Sequence, residues 1–158
     1  MSSAGRGFTL IELLVTLAVL SVLATLVLPV AQIESQRVRE RELSRALSEL
    51  RHAIDAYKKA YDEGRIERKA DATGYPPTLE VLAEGVEDVR TPDKPRIYFL
   101  RRVPRDPMST DASVPDARTW ALRSYASEPS APAEGEDVYD VHSRSTRVGL
   151  NGQAYHRW

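Results

Sequence analysis

The chain has 158 residues, with 22 basic and 23 acidic side chains, a formal charge of -1 and no cysteine. That length suggests one domain beyond any membrane or targeting segment. The charge balance speaks against bulk electrostatic binding of nucleic acid or anionic lipid, and the lack of cysteine excludes disulfide frameworks and thiolate chemistry.

The first element is apolar. From Phe8 to Val30 there is no Lys, Arg, Asp or His, and the one ionisable residue is Glu12. As a helix, this stretch is about long enough to cross the ~30 Å hydrocarbon core of a bilayer. A secretory signal peptide has a shorter apolar run and then a small-residue cleavage site. Here the run is too long, and Val27-Leu28-Pro29-Val30-Ala31-Gln32 is a poor site. A plain membrane anchor fits the length but gives Glu12 no reason, and a carboxylate inside a membrane needs a named partner. A third reading cuts the chain after Gly7, removing the polar leader 1–7 and leaving 8–30 as the mature N-terminal helix.

After Pro29 the composition turns charged. Apolar residues then recur at Leu43, Ala46, Leu47, Leu50, Ile54, Tyr57 and Tyr61. This i, i+3, i+4, i+7 spacing is one stripe of an amphipathic helix, too short for a sustained coiled coil. The segment 31–64 reads as the continuation of the first helix, with Gly64 as its stop. Together they make one rod of roughly fifty residues, about 80 Å long at 1.5 Å per residue. Pro29 removes the hydrogen bond to the Thr25 carbonyl, so a kink or a local break is expected there, partly offset by the Thr25 hydroxyl.

The remainder, 65–158, reads as a small α+β head. Thr78 is placed to cap a short helix over 79–84 that ends at Gly85. The segment 96–103 is strand or short helix, and Pro104-Arg105-Asp106-Pro107 is a turn. Strands are expected over 118–125 and, by its alternation, over 137–143. Asn151-Gly152 signals a two-residue hairpin turn. The fold class is thus α+β: a long N-terminal transmembrane and amphipathic helix packed on a small C-terminal antiparallel β-sheet.

Gly7-Phe8-Thr9-Leu10-Ile11-Glu12-Leu13 resembles the processing motif of type IV pilins and of the pseudopilins of type II secretion systems. In that family a membrane aspartyl peptidase cuts after the Gly and N-methylates the new terminal Phe. The resemblance implies cleavage between Gly7 and Phe8, N-methylphenylalanine at Phe8, and assembly through Glu12, with Pro29 matching the proline near the end of the membrane segment. On that reading Glu12 lies one helical turn from Phe8. A neighbouring subunit's Phe8 amine then pairs with Glu12 when the helices pack with an axial stagger, which relieves two buried charges at once. The head is similar to the major pseudopilin through Tyr75-Pro76-Pro77-Thr78 and through Leu100-Arg101-Arg102-Val103-Pro104-Arg105-Asp106-Pro107.

The major pseudopilin typically carries a Gly- and Asp-rich calcium loop near its end, and there this chain departs. Asp137 and Asp140 are weak calcium candidates with two basic neighbours, and calcium takes six to eight oxygens. No cofactor is otherwise expected.

An enzyme is not expected: there is no phosphate loop, Gly-x-Ser-x-Gly or His-Glu-x-x-His. His52, His142 and His156 are dispersed. Strand alternation puts Asp140 and His142 on one face and Ser143 on the other, so they form no triad. Arg96, Arg101, Arg102 and Arg105, with Tyr98 and Phe99, suggest nucleic-acid binding, but salt bridges to acidic neighbours such as Glu84, Glu87 and Asp88, on this chain or the next subunit, are the preferred reading.

The resemblance implies a structural subunit of a periplasmic pseudopilus. Its partners are copies of itself in a helical homo-polymer, other pseudopilins, prepilin peptidase, an inner-membrane assembly platform and, before assembly, membrane lipid. It implies a single pass through the bacterial inner membrane with the head in the periplasm. Arg6 faces Arg37, Arg39 and Arg41 across the span, so charge does not set this orientation; the motif does. The alternatives are a type IV pilus or DNA-uptake pilin, or a membrane-anchored binding module.

Overall fold

The computed structural model describes residues 7–158, with backbone alone over 25–30. Most of the expected leader, and the Thr25 hydroxyl, lie outside the described residues. The chain forms two units, one ending at Val38 and one spanning Arg39–Trp158. Helix α1, Leu10–Asp62, is continuous over 53 residues. The helix runs through Pro29, so of the two outcomes expected there the break does not occur.

In the first unit α1 shows its apolar side chains outward on every side. Leu10, Ile11, Leu13, Leu14, Val15, Leu17, Val19, Leu20, Val22 and Leu23 are all exposed. Among the described residues no helix is long and apolar enough to cross a membrane. Within the apolar stretch 8–30, side chains are described only as far as Ala24.

In the second unit α1 supplies the floor of the head. Leu43, Ala46, Leu47, Leu50, Ala53, Ile54, Tyr57 and Ala60 are buried on one face, as the 3.6-residue period requires. They pack with Leu79, Leu82, Leu100, Met108, Trp120, Val138, Val141 and Tyr155. The helix stops where Gly64, at φ 70, turns back with its N–H on the Tyr61 carbonyl.

Helix α2, Glu80–Glu84, is one residue shorter at its start than expected. Leu79 is its N-cap and no side chain caps it, so Thr78 does not serve that role. Gly85 ends it at φ 77, with its N–H on the Val81 carbonyl. Strands β1 (Val86–Glu87) and β2 (Arg96–Ile97) form one antiparallel pair. A 3-10 turn, Asp116–Thr119, leads into β3 (Trp120–Arg123), which pairs antiparallel with β4 (Asp140–Ser143). The single sheet expected is therefore two two-stranded ones, among the described residues.

Residues 137–139, read as strand from their alternation, lie outside β4. The Val138 N–H bonds the Pro76 carbonyl instead of a strand partner. The Asn151-Gly152 turn is present with a three-residue loop rather than two. Gly149 N–H bonds Gln153 O (2.8 Å), Gly152 takes φ 79, and Val148 bridges Ala154. A three-residue hairpin loop closed by a left-handed glycine is the next commonest solution to the two-residue turn.

Candidate functional site

The N-terminal site is organised by Thr9. Its Oγ1 accepts the Glu12 backbone N–H (3.3 Å) and its carbonyl accepts the Leu13 N–H (3.2 Å). Thr9-Leu10-Ile11-Glu12 is thus a capping-box sequence with its N-cap half formed: the hydroxyl satisfies one of the donors that a helix start leaves unpaired. Phe8 precedes the cap and Leu13 follows four residues inside it, the positions of a hydrophobic staple. Phe8 therefore stands outside the helix. The Phe8–Glu12 relation expected of a helix starting at residue 8 becomes that of the residue before the cap and the third residue of the helix. Glu12 also puts a carboxylate in the first turn, where the helix dipole favours it.

The other polar groups of this segment are satisfied within it. Thr16 Oγ1 donates to Leu13 O (2.9 Å) and Ser21 Oγ to Leu17 O (2.7 Å). Glu12 is then a carboxylate among exposed apolar side chains, of which Phe8 is 75% and Leu10 77% exposed. A Cβ added at Gly7 would meet nothing within 4 Å. Among the described residues nothing requires a glycine at that position.

The head places the remaining candidates. Asp137 is buried and both its oxygens are taken: Oδ1 accepts the Tyr125 N–H (2.8 Å) and Oδ2 the Thr73 hydroxyl. Asp140 Oδ1 accepts Arg51 Nε (2.9 Å) and its neighbour's Val141 N–H (2.8 Å). Asp137 is thus spent through both oxygens and Asp140 is engaged through Oδ1, on separate internal partners, one of them a guanidinium. Among the described residues no three acidic, His or Cys side chains converge as a metal would need. This donor set does not fit a calcium ion, which takes six to eight oxygens.

His142 shares the half-buried face of β4 with Asp140, while Ser143 is buried on the other, as strand alternation requires. Burial holds the His142 imidazole below its usual range, against the opposing pull of Asp140. His52 stays on its own helix, with Nδ1 2.7 Å from the Ser48 carbonyl.

The arginine cluster is dispersed by its partners. Arg96 donates to the Glu84 carbonyl (2.9 Å), not to its carboxylate, and Arg105 to the Val114 carbonyl and to Asp116 (3.1 Å). Phe99 packs its ring on Tyr57 (5.4 Å). Asp88, expected to meet this cluster, instead takes Arg65 through Nε (2.9 Å) and Nη2 (2.7 Å). Those hydrogen bonds hold the Asp88 carboxyl below the usual range. Exposed Tyr98, Arg101 and Arg102 remain, too few for a stacking platform along a strand.

Sequence reasoning missed Asp106. It is 1% exposed and accepts from Ser143 Oγ (2.6 Å) and the Met108 N–H (2.8 Å). Its own N–H donates to Thr119 Oγ1 (3.0 Å), and Trp120 Nε1 bonds the Pro104 carbonyl (2.7 Å). The Pro-x-Asp-Pro turn is thus an internal bracket that ties the loop to β3 and β4. Its signal was the Asp itself, a residue that caps its own turn by bonding the backbone two residues on.

Residues 3–28 match the family profile described as the prokaryotic N-terminal methylation motif. Along the whole chain there is similarity to the type II secretion system core protein G of Dickeya chrysanthemi. That protein is 30% identical over 160 residues, which cover 96% of this chain and 97% of the relative. The namesake protein of Pectobacterium carotovorum subsp. carotovorum is 32% identical over 67% of this chain and 64% of its own length. That of Klebsiella pneumoniae is 31% identical over 67% of this chain and 71% of its own. This chain belongs to the type II secretion system core protein G family. It has a pseudopilin role in type II secretion, and the pilus and uptake alternatives fall away. No solved structure matches. For a member of that family, the N-terminal cap and the apolar surface behind it are the features to explain.

Proposed function

We propose that this chain is cut between Gly7 and Phe8, methylated on the Phe8 amine, held in the inner membrane by 8–30, and polymerised through that helix. The observation that carries the reading is the exposed apolar surface of α1 around Glu12. Leaving so many apolar side chains to water is untenable for a free monomer, since an exposed patch of this size marks a membrane or protein contact. Lipid covers it before assembly and neighbouring helices cover it afterwards. Hydroxyls that bond their own helix suit both surroundings, since backbone and side chain are satisfied without water.

Glu12 supplies the register. In lipid or in a packed bundle its charge is costly until a cation meets it. A new amine at Phe8, released by hydrolysis of the Gly7–Phe8 bond, is the cation nearest to hand on a neighbour, and methylation keeps it basic. The Thr9 cap holds the start of the helix in place while Phe8, outside the helix, is free to present that amine. The absence of an internal need for Gly7 supports a need imposed from outside, by the peptidase that must approach the backbone closely.

The head takes a periplasmic position, and the partners are further copies of this chain, other pseudopilins, prepilin peptidase and an inner-membrane assembly platform. The test is the N-terminus of the protein purified from cells that contain a prepilin peptidase. Mass spectrometry is expected to find N-methyl-Phe8 as the first residue. An intact Met1 start on protein that supports secretion would overturn the reading.

A further inference from the structure

Two residues of α1 hold the last part of the chain, one at each end of the contact. Glu40 Oε1 accepts the Leu150 N–H (2.8 Å) and the Tyr155 hydroxyl (2.8 Å). Three turns further along, Arg51 donates from Nε to Asp140 Oδ1 (2.9 Å) and from Nη2 to the carbonyls of Val141 (3.2 Å) and Trp158 (2.8 Å). One guanidinium thus gathers three oxygens from two separate stretches, 140–141 and 158. Neither stretch bonds the other there; the cation joins them.

We infer that Arg51 is a built-in cation that fastens the C-terminal segment to the helix, doing the work that calcium would do in the loop the family resemblance implies. The physical parallel is close. Calcium closes a loop by drawing carboxylates and carbonyls onto one positive centre. Arg51 draws one carboxylate oxygen and two main-chain oxygens onto a planar fork with five donors. The residues that remain for a metal are engaged: Asp137 by Thr73 and Tyr125, Asp140 by Arg51 itself. A calcium ion placed beside Asp140 would face a guanidinium and lose its most accessible carboxylate. The fold of this head is therefore independent of divalent cations. This inference stands apart from the processing and assembly reading, since it concerns the head alone.

The experiment is a set of thermal melts of the full chain in detergent micelles, in EGTA and then in millimolar calcium chloride. A ligand that binds only the folded state raises the midpoint by mass action, so the wild-type midpoint is expected to move by less than about 1 °C. Arg51→Gln is expected to melt about 4–8 °C lower in EGTA. Hydrogen exchange on that variant is expected to speed up at the Tyr155 and Trp158 amides. Arg51→Lys, a point charge that cannot span three oxygens, is expected to fall between the two, and it serves if Arg51→Gln does not accumulate. Calcium that raises Arg51→Gln but not wild type would also support the inference, because the vacated oxygens then take the ion. A wild-type midpoint raised by more than about 3 °C in calcium would overturn it, as would an Arg51→Gln protein that melts like wild type.

Discussion

Asp106 offers a stability test that the sequence alone would not suggest. Truncating it to Ala removes the acceptor of two buried donors, the Ser143 hydroxyl (2.6 Å) and the Met108 N–H (2.8 Å). Each buried donor left without a partner costs about 1–3 kcal/mol, so Asp106→Ala is expected to cost about 4 kcal/mol. Set against a typical stability of about 5–15 kcal/mol, that is a large share, and the unfolding midpoint should fall by about 10–15 °C. Asp106→Asn keeps an acceptor for Met108 and asks Ser143 only to turn its hydroxyl, so about 1 kcal/mol is expected. Ser143→Ala removes one donor and leaves the carboxylate its backbone partner. The double variant should then show a coupling of about 1–3 kcal/mol, because a charged hydrogen bond is lost once and not twice. The assay is the melt followed by tryptophan fluorescence, to which the fully buried Trp120 reports. An Asp106→Ala protein within about 0.5 kcal/mol of wild type would refute the bracket.

Three further outcomes are expected. Gly7→Val, at a position where an added Cβ meets nothing among the described residues, should fold normally but accumulate as a precursor about 0.7 kDa heavier than the mature form, at ~110 Da per leader residue, as gel mobility or intact mass will show. Stability should fall with acid in two stages: Asp88 and His142 are both held below their unfolded values, so each contributes stability that is present above the unfolded value and lost as pH falls. The His142 part should go below about pH 6.5 and the Asp88 part below about pH 4, with His142→Gln removing the first stage from a melt series against pH. Pro29→Ala restores one helical hydrogen bond and should give fibres of altered helical rise or lower yield, measured by cryo-EM and by shearing.

The stripe on α1 was legible because a helix writes its buried face into the sequence every three to four residues. Leu43, Leu47, Leu50 and Ile54 are all buried as that period demands. Gly64 and Gly85 were legible as stops because a left-handed turn favours the one residue without a Cβ. What lay hidden depends on partners far apart in the chain. Arg51 meets Asp140 across 89 positions and Trp158 across 107, and no local pattern carries such a pairing. The Thr9–Glu12 cap was hidden for a different reason: the Thr-x-x-Glu signal lies inside a motif that also reads as a processing site, and one reading masked the other. Asp137 had the look of a ligand because it falls, with Asp140, where the resembling family carries its calcium loop. In the fold it sits before β4 and spends its carboxylate on a loop and a backbone amide.

The central claim is that α1 builds a filament through Glu12, and the direct measurement is the yield of sheared fibres from cells producing wild type or Glu12→Gln, with cleavage and membrane content followed in parallel. The amide keeps the Thr9 cap's backbone contact, which uses the residue 12 N–H, so the helix start should survive. It cannot neutralise a neighbour's amine, so the account predicts normal cleavage and insertion with few or no fibres. Fibres from Glu12→Gln in wild-type amount and geometry would contradict it.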